Sequence, residues 1–276
     1  MEGTASVLIL VSGFAHAVVN AILKAGNDKM SRRALIDGFS ALILAPAAFL
    51  VPLPVNAWGW LIASALVHGL YLLSLIKSFE QSDMTVAYPI ARGIAPMLAA
   101  AGAVAIFREP ISVFVVVGIV AVACGVMCIG VSHKLERSAL LWAALTGICI
   151  ASYTVIDAQG VRAAPTAPSY IVWTFLMLGG GLGTFFALWR GRAFFLSVAG
   201  QWKPGLMAGA LSIISYGFAL MAFRLGATPR LAALRETSIL FGTAIAVIFL
   251  KERLTPLRLS GVLAIALGAV VLIGAR

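Results

Sequence analysis

Apolar positions in this chain come in long unbroken blocks. They lack the alternation of strands and the narrow stripe of a surface helix. Ten blocks lie at about 5–24, 33–51, 58–79, 84–107, 111–131, 138–157, 169–189, 205–224, 229–250 and 256–274. Crossing a bilayer core takes about 20 mostly apolar residues as a helix, so each block predicts one transmembrane helix. Pro52, Pro54, Pro110, Pro165, Pro168, Pro204, Pro229 and Pro256 fall between blocks, where proline is easily accommodated. Pro46, Pro89 and Pro96 fall inside blocks and predict kinks.

The second half of the pattern repeats the first. An offset of 143 positions carries Arg92 to Arg235, Glu109 to Glu252, Gly118 to Gly261 and Gly125 to Gly268. Tyr71 matches Tyr216 after a two-residue shift, and Gly13 falls opposite Gly147. The expected architecture is therefore two five-helix repeats, 1–133 and 134–276. Five is odd, so the second repeat enters the membrane from the opposite side. Inverted repeats of this kind characterise secondary transporters, with the substrate site at the repeat interface.

Composition sharpens this picture. The chain is 62% hydrophobic and 11% charged, with mean hydropathy +1.04, against about 25% charged residues in a soluble domain. It reads as an integral membrane protein. The net charge of +10 does not point to nucleic acid, because the basic residues sit mostly in short loops, where they orient helices and meet anionic headgroups. Thirteen Lys and Arg fall on one side and five on the other, with Arg92 and Arg235 set apart as intramembrane; this predicts both termini outside. The start, with Glu2 and no basic n-region, reads as a retained helix and not a signal peptide. Cys124, Cys128 and Cys149 lie in apolar blocks and read as packing residues.

Charge inside such blocks marks function or its support. Arg92 and Arg235 either bind a substrate carboxylate or phosphate through the planar guanidinium fork, or are held by internal partners. Glu236 follows Arg235 directly, so the two point about 100° apart on a helix. His16, Asn20 and Lys24 form one stripe on the first helix. His68 and Tyr71 share a face of the third helix, and Tyr216 is the counterpart of Tyr71. Tyr88 and Tyr153 complete the candidate set. Tyrosines in a cavity wall suit an amphipathic or aromatic substrate, and their bland alternative is interhelical packing. Asp157 is read as a solvated interfacial residue, and Glu109 and Glu252 as loop residues pairing with Arg108, Lys251 or Arg253. Trp58, Trp60, Trp189 and Trp202 read as belt anchors. Gly118/Gly125 and Gly261/Gly268 read as close-packing faces, for a scaffold or a dimer surface.

The residues YPIARGIAPMLAAAGAVAIFREPIS at 88–112, LRETSILFGTAIAVIFLKERLT at 234–255 and the opening AHAVVNAILKAG at 15–26, with the doubled layout, resemble the drug/metabolite transporter superfamily in its ten-helix EamA-type branch. The resemblance covers nearly the whole chain. It implies a cavity lined by the first, third, fourth, sixth, eighth and ninth helices, alternating access, and substrates among small metabolites, nucleotide sugars and drugs. It also implies both termini in the cytoplasm, against the charge count. The fourth and ninth helices meet in such folds, so Glu236 is expected to pair with Arg92 and leave Arg235 for substrate; alternatively Glu236 takes a substrate amine or a proton.

The expected function is a secondary transporter in the cell (inner or plasma) membrane, moving amino-acid-like or carboxylate metabolites, with protons as a coupling ion. It acts as a monomer or homodimer. The alternative is efflux of cationic drugs, which wants a cavity carboxylate. There is no HExxH, P-loop or GxSxG motif, so neither an enzyme nor a cofactor or metal is expected.

Overall fold

The computed structural model describes residues 2–24, 29–81, 84–130, 137–251 and 255–275. Among these every regular element is helical. The first half holds α1 (Glu2–Lys24), α2 (Lys29–Leu44), short 3-10 turns at Ala45–Phe49 and Val55–Ala57, α3 (Trp58–Gln81), α4 (Met84–Phe107) and α5 (Val113–Gly130). The second holds α6 (Arg137–Ala163), α7 (Ala167–Phe175), a π-helical stretch Leu176–Gly183, α8 (Thr184–Arg190), α9 (Arg192–Leu225), α10 (Thr228–Arg235), α11 (Ser238–Leu250) and α12 (Pro256–Gly274). Seven helices among the described residues are long and apolar enough to cross a membrane, with Val113–Ile129 a shorter apolar one beside them. Large apolar side chains such as Leu66, Phe114, Leu188 and Leu267 point outward, as a lipid-facing surface requires.

Each apolar block falls largely on helix, with five departures in regularity, one being the seventh, which passes from α7 through the π-helical Leu176–Gly183 to α8. The second block ends as α-helix at Leu44, and Pro46 opens a 3-10 turn where a kinked helix was expected. The sixth helix runs on to Ala163, because polar residues past the apolar block find partners inside the protein. The eighth begins at Arg192 and passes through Pro204, which was expected between helices. The ninth block is broken at Glu236 and Thr237 into α10 and α11. By contrast α4 is continuous through Pro89 and Pro96.

Helix α5 lies against α12, α1 against α9, and α3 and α4 against α6, while α10 packs on α4. The glycines explain the first contact. A Cβ on Gly125 would come within 2.7 Å of the Gly261 carbonyl oxygen, and one on Gly261 within 2.6 Å of that of Gly125. The two backbones therefore touch within this chain, as small residues permit in a membrane.

Polar ties close one end of the bundle. Glu109, just past α4, accepts from Arg162 (2.6 Å), Gln159 (3.1 Å) and both the backbone N–H and hydroxyl of Thr228 (2.8 Å each). Its partner is thus Arg162 of α6 in place of a neighbouring loop cation; Glu252 lies outside the described residues. Arg224 donates to the Val161 and Ala164 carbonyls at 2.7 and 2.9 Å. Arg230 reaches Glu2 at 3.0 Å. Three of the five basic residues assigned to that side are therefore tied into the protein, which removes them as free loop charges.

Candidate functional site

Arg92 stands eight residues into α4, about 12 Å along it at 1.5 Å per residue. Its Nε lies 2.9 Å from Glu236 Oε2, and both side chains are nearly sealed, at 6% and 5% exposed. Its Nη2 donates to Ser238 Oγ at 2.8 Å. The break between α10 and α11 makes this contact possible. Glu236, Thr237, Ile239 and Leu240 donate their N–H groups to residues three positions back, tightening the chain, and the Thr237 hydroxyl takes the Leu234 carbonyl at 2.7 Å. This competition for a carbonyl is how threonine disturbs helices. Gly13 of α1 fits against the break, where a Cβ would meet Ser238 N at 3.3 Å. The pocket beside the pair holds about 10 Å³, at the lower limit for one water.

Arg235 borders that pocket and also a larger cavity of about 90 Å³, room for several waters by the same measure. Its guanidinium carbon sits 5.0 Å from the centroid of Tyr216, a cation–π contact. No carboxylate lies within ion-pair range of it among the described residues, and its buried Nε has no hydrogen-bond partner. One arginine is neutralised in place and the other is left open toward the cavity.

Aromatic rings wall the cavity. His68 stacks on Tyr153 with centroids 4.0 Å apart, and Tyr71 meets Tyr153 edge-on at 5.7 Å. His68 also faces Tyr216 edge-on at 6.1 Å. His68 Nδ1 lies 2.9 Å from the Ser64 carbonyl oxygen and 3.2 Å from the Ser64 hydroxyl. His16 also lines the cavity, and its buried Nε2 has no hydrogen-bond partner among the described residues. Asn20, one turn further along α1, is half-buried and does not line the cavity. The side chains of Tyr88 and Lys24 lie outside the described residues.

Two sets of residues were missed or misread. Arg33 and Asp37 pair one turn apart on α2 at 2.9 Å, 40% and 17% exposed, and both line the cavity. The charge count had placed Arg33 in a loop; an aspartate five positions into an apolar block was the available signal. Asp157, expected at a solvated interface, is 0% exposed. It accepts the Tyr170 hydroxyl on Oδ1 at 2.8 Å and the Tyr216 hydroxyl on Oδ2. Those donors are 13 and 59 positions away, so no local pattern reveals them. Trp58 and Trp60, read as belt residues, pack edge-on to Trp173 at 5.0 Å and beside Phe107 at 5.9 Å.

The model of the EamA-like transporter family matches residues 137–274. No curated protein matches the chain. A solved crystal structure, described simply as that of a protein, is similar over 97% of this chain and 94% of its own, with a TM-score of 0.70 and 16% identity. At that identity the likeness speaks for the fold alone.

Proposed function

The chain belongs to the EamA-like transporter family and is a multi-pass membrane transporter of the drug/metabolite type; from that premise we propose that it moves small amphipathic carboxylates, amino acids foremost, by alternating access through the aromatic cavity. The observation that carries this reading is Arg235, a buried guanidinium bordering the cavity with no carboxylate in ion-pair range among the described residues. Such a cation is costly in a membrane interior unless an anion arrives, and its fork suits a carboxylate. Asp37 adds a negative charge to the same cavity for a substrate ammonium, and His68, Tyr71, Tyr153 and Tyr216 offer ring faces for an apolar side chain.

Helix packing supports the two-repeat reading that alternating access would use. Exchanging the halves turns the α1–α9 contact into that of α6 with α3, and the α5–α12 contact into itself. The ties among Glu109, Arg162 and Thr228 suit a closed end. We place the protein in the cell's inner or plasma membrane, where amino-acid export would act. Cation efflux has less support, because Glu236 is committed to Arg92 and the cavity's described carboxylate, Asp37, is outnumbered there by Arg33 and Arg235.

The test is uptake into proteoliposomes offered a mixed pool of amino acids, organic anions and organic cations. Uptake of an amino or carboxylic acid, lost in Arg235→Ala while the protein stays monodisperse, is the expected result. Movement of cations alone, unchanged in that variant, overturns the reading.

A further inference from the structure

The charged side chains that line the cavity do not balance. Among the described residues Arg33 and Arg235 bring two positive charges and Asp37 one negative, a net +1. His16 and His68, whether neutral or charged, can add only to that sign. The neighbouring pair of Arg92 and Glu236 is neutral as a unit. Asp157 sits behind Tyr216 and does not line the cavity, and two phenol O–H groups already meet its oxygens. A net charge walled off from bulk water calls for a counter-charge on whatever fills the space. A neutral zwitterion supplies none. We propose that the cargo is a small amino acid with an acidic side chain, of the aspartate or glutamate kind, carried as a net monoanion. This inference rests on the transport reading above and narrows it.

The cavity has a closed end that suits the side-chain acid. Arg235 is 9% exposed, and its buried Nε has no hydrogen-bond partner among the described residues. The same is true of the buried Nε2 of His16. The two approach one another through the packing of α1. Gly13 fits against the chain just past Arg235, where a Cβ would meet Ser238 N at 3.3 Å. His16 follows three positions later, and residues three apart share a helix face. A carboxylate placed here takes the fork of Arg235 and an N–H of His16, which even a neutral imidazole can supply.

The amine belongs at the open end. Arg33 Nε occupies Oδ2 of Asp37, and a carboxylate has about four lone-pair sites, so Asp37 can also accept from an ammonium. Depth along α1 measures the separation of the two ends. Gly13 is level with Ser238, while Val19 packs in one apolar cluster with Ile36, the residue before Asp37. Six positions on a helix are about 9 Å. Two hydrogen bonds of about 2.8 Å and a short carbon chain account for such a span. In a neutral amino acid the carboxylate and the amine share one carbon, too close together to serve both ends. The methylenes of an acidic side chain lie against the rings of Tyr71, Tyr153 and Tyr216. The backbone carboxylate stays hydrated at the open end, where Arg33, 40% exposed, offers only a screened charge.

The test is uptake by the full-length protein in proteoliposomes, with glutamate, glutamine, glutarate and phenylalanine each offered at equal concentration. Glutamine keeps the shape of glutamate without the side-chain charge, and glutarate lacks the amine. Wild type should prefer glutamate to glutamine by about tenfold or more, and should also prefer it to glutarate. Arg235→Gln should bring the ratio of glutamate to glutamine near one, and His16→Ala should narrow it. Asp37→Asn should erase the preference for glutamate over glutarate. Each ratio is internal to one preparation, and if a variant fails to fold the wild-type ratios decide. Glutamine or phenylalanine moving as fast as glutamate in wild type overturns the anionic cargo and leaves the transport reading standing. A glutamate preference unchanged in Arg235→Gln overturns the site assigned to the side-chain acid, and glutarate moving faster than glutamate overturns the place of the amine. Failure of wild type to move any of the four, or any other amino or carboxylic acid, sinks the transport reading itself.

Discussion

Helix α4 and the α10–α11 pair occupy matching places in the two halves and carry matching arginines, yet they have come to opposite states. The α4 helix stays continuous through two prolines. The α10–α11 segment has no interior proline beyond Pro229 near its start, and it breaks. Freed carbonyls at a proline can be satisfied by neighbouring helices, so a proline alone does not settle where a membrane helix fails. At Glu236 and Thr237 the break comes from short-range hydrogen bonds, and it turns Glu236 toward Arg92 and away from its own neighbour Arg235. Matching residues in a repeat need not share a role: Arg92 joins the halves, and Arg235 faces the cavity.

The strongest challenge to that contrast is to remove one member of the joined pair. Arg92→Ala or Glu236→Ala leaves a buried charge alone and should destabilise the protein by about 3–5 kcal/mol. Replacing both with methionine should recover most of it, as read by thermal unfolding in detergent. Equal losses in the single and double variants would mean that the pair does not act as a unit. Arg235→Ala should do the reverse. Its thermal stability should change little, while affinity for an amino-acid ligand falls by the equivalent of about 2–5 kcal/mol, measured by calorimetry. Between these extremes lies Thr237→Val, which removes the hydroxyl on the Leu234 carbonyl. It should cost about 1 kcal/mol and, by loosening the turn, weaken the Arg92 contact as read by a double-mutant cycle with Glu236→Gln. Smallest of all should be Arg33→Gln. With that side chain 40% exposed, the ion pair contributes less than about 1 kcal/mol, and any larger effect on uptake would draw Arg33 into substrate handling.

Much of the fold could be read from the chain because hydrophobic length is a local property. Blocks of apolar residues announced the helices, and the 143-residue offset announced the paired arginines and the glycine faces of α5 and α12. The pairing of Arg92 with Glu236 followed from geometry on a helix together with family resemblance. What stayed hidden depends on partners distant in sequence. Asp157 looks like the polar end of an apolar block until Tyr170 and Tyr216 are brought to it. Arg33 looks like a loop cation until α2 begins at Lys29 and carries it onto the cavity wall. Gly191, at φ +53°, ends α8 and lets α9 start 13 residues before its apolar block, a start that a hydrophobicity count does not register.

Arg235 also has an electrical meaning. It stands seven residues into the segment that begins at Thr228, about 10 Å along a spanning helix, where the transmembrane voltage falls. One elementary charge crossing the whole drop changes in energy by about 2.3 kcal/mol per 100 mV. In the pair of Arg92 and Glu236 plus and minus travel together, and the voltage does no net work on them. Arg235 has no carboxylate in ion-pair range among the described residues, and on the carboxylate reading proposed above a net-anionic substrate bound there would cancel its charge. The empty and loaded proteins would then feel the membrane potential differently, whereas a zwitterion, adding no net charge, would leave that balance nearly unchanged.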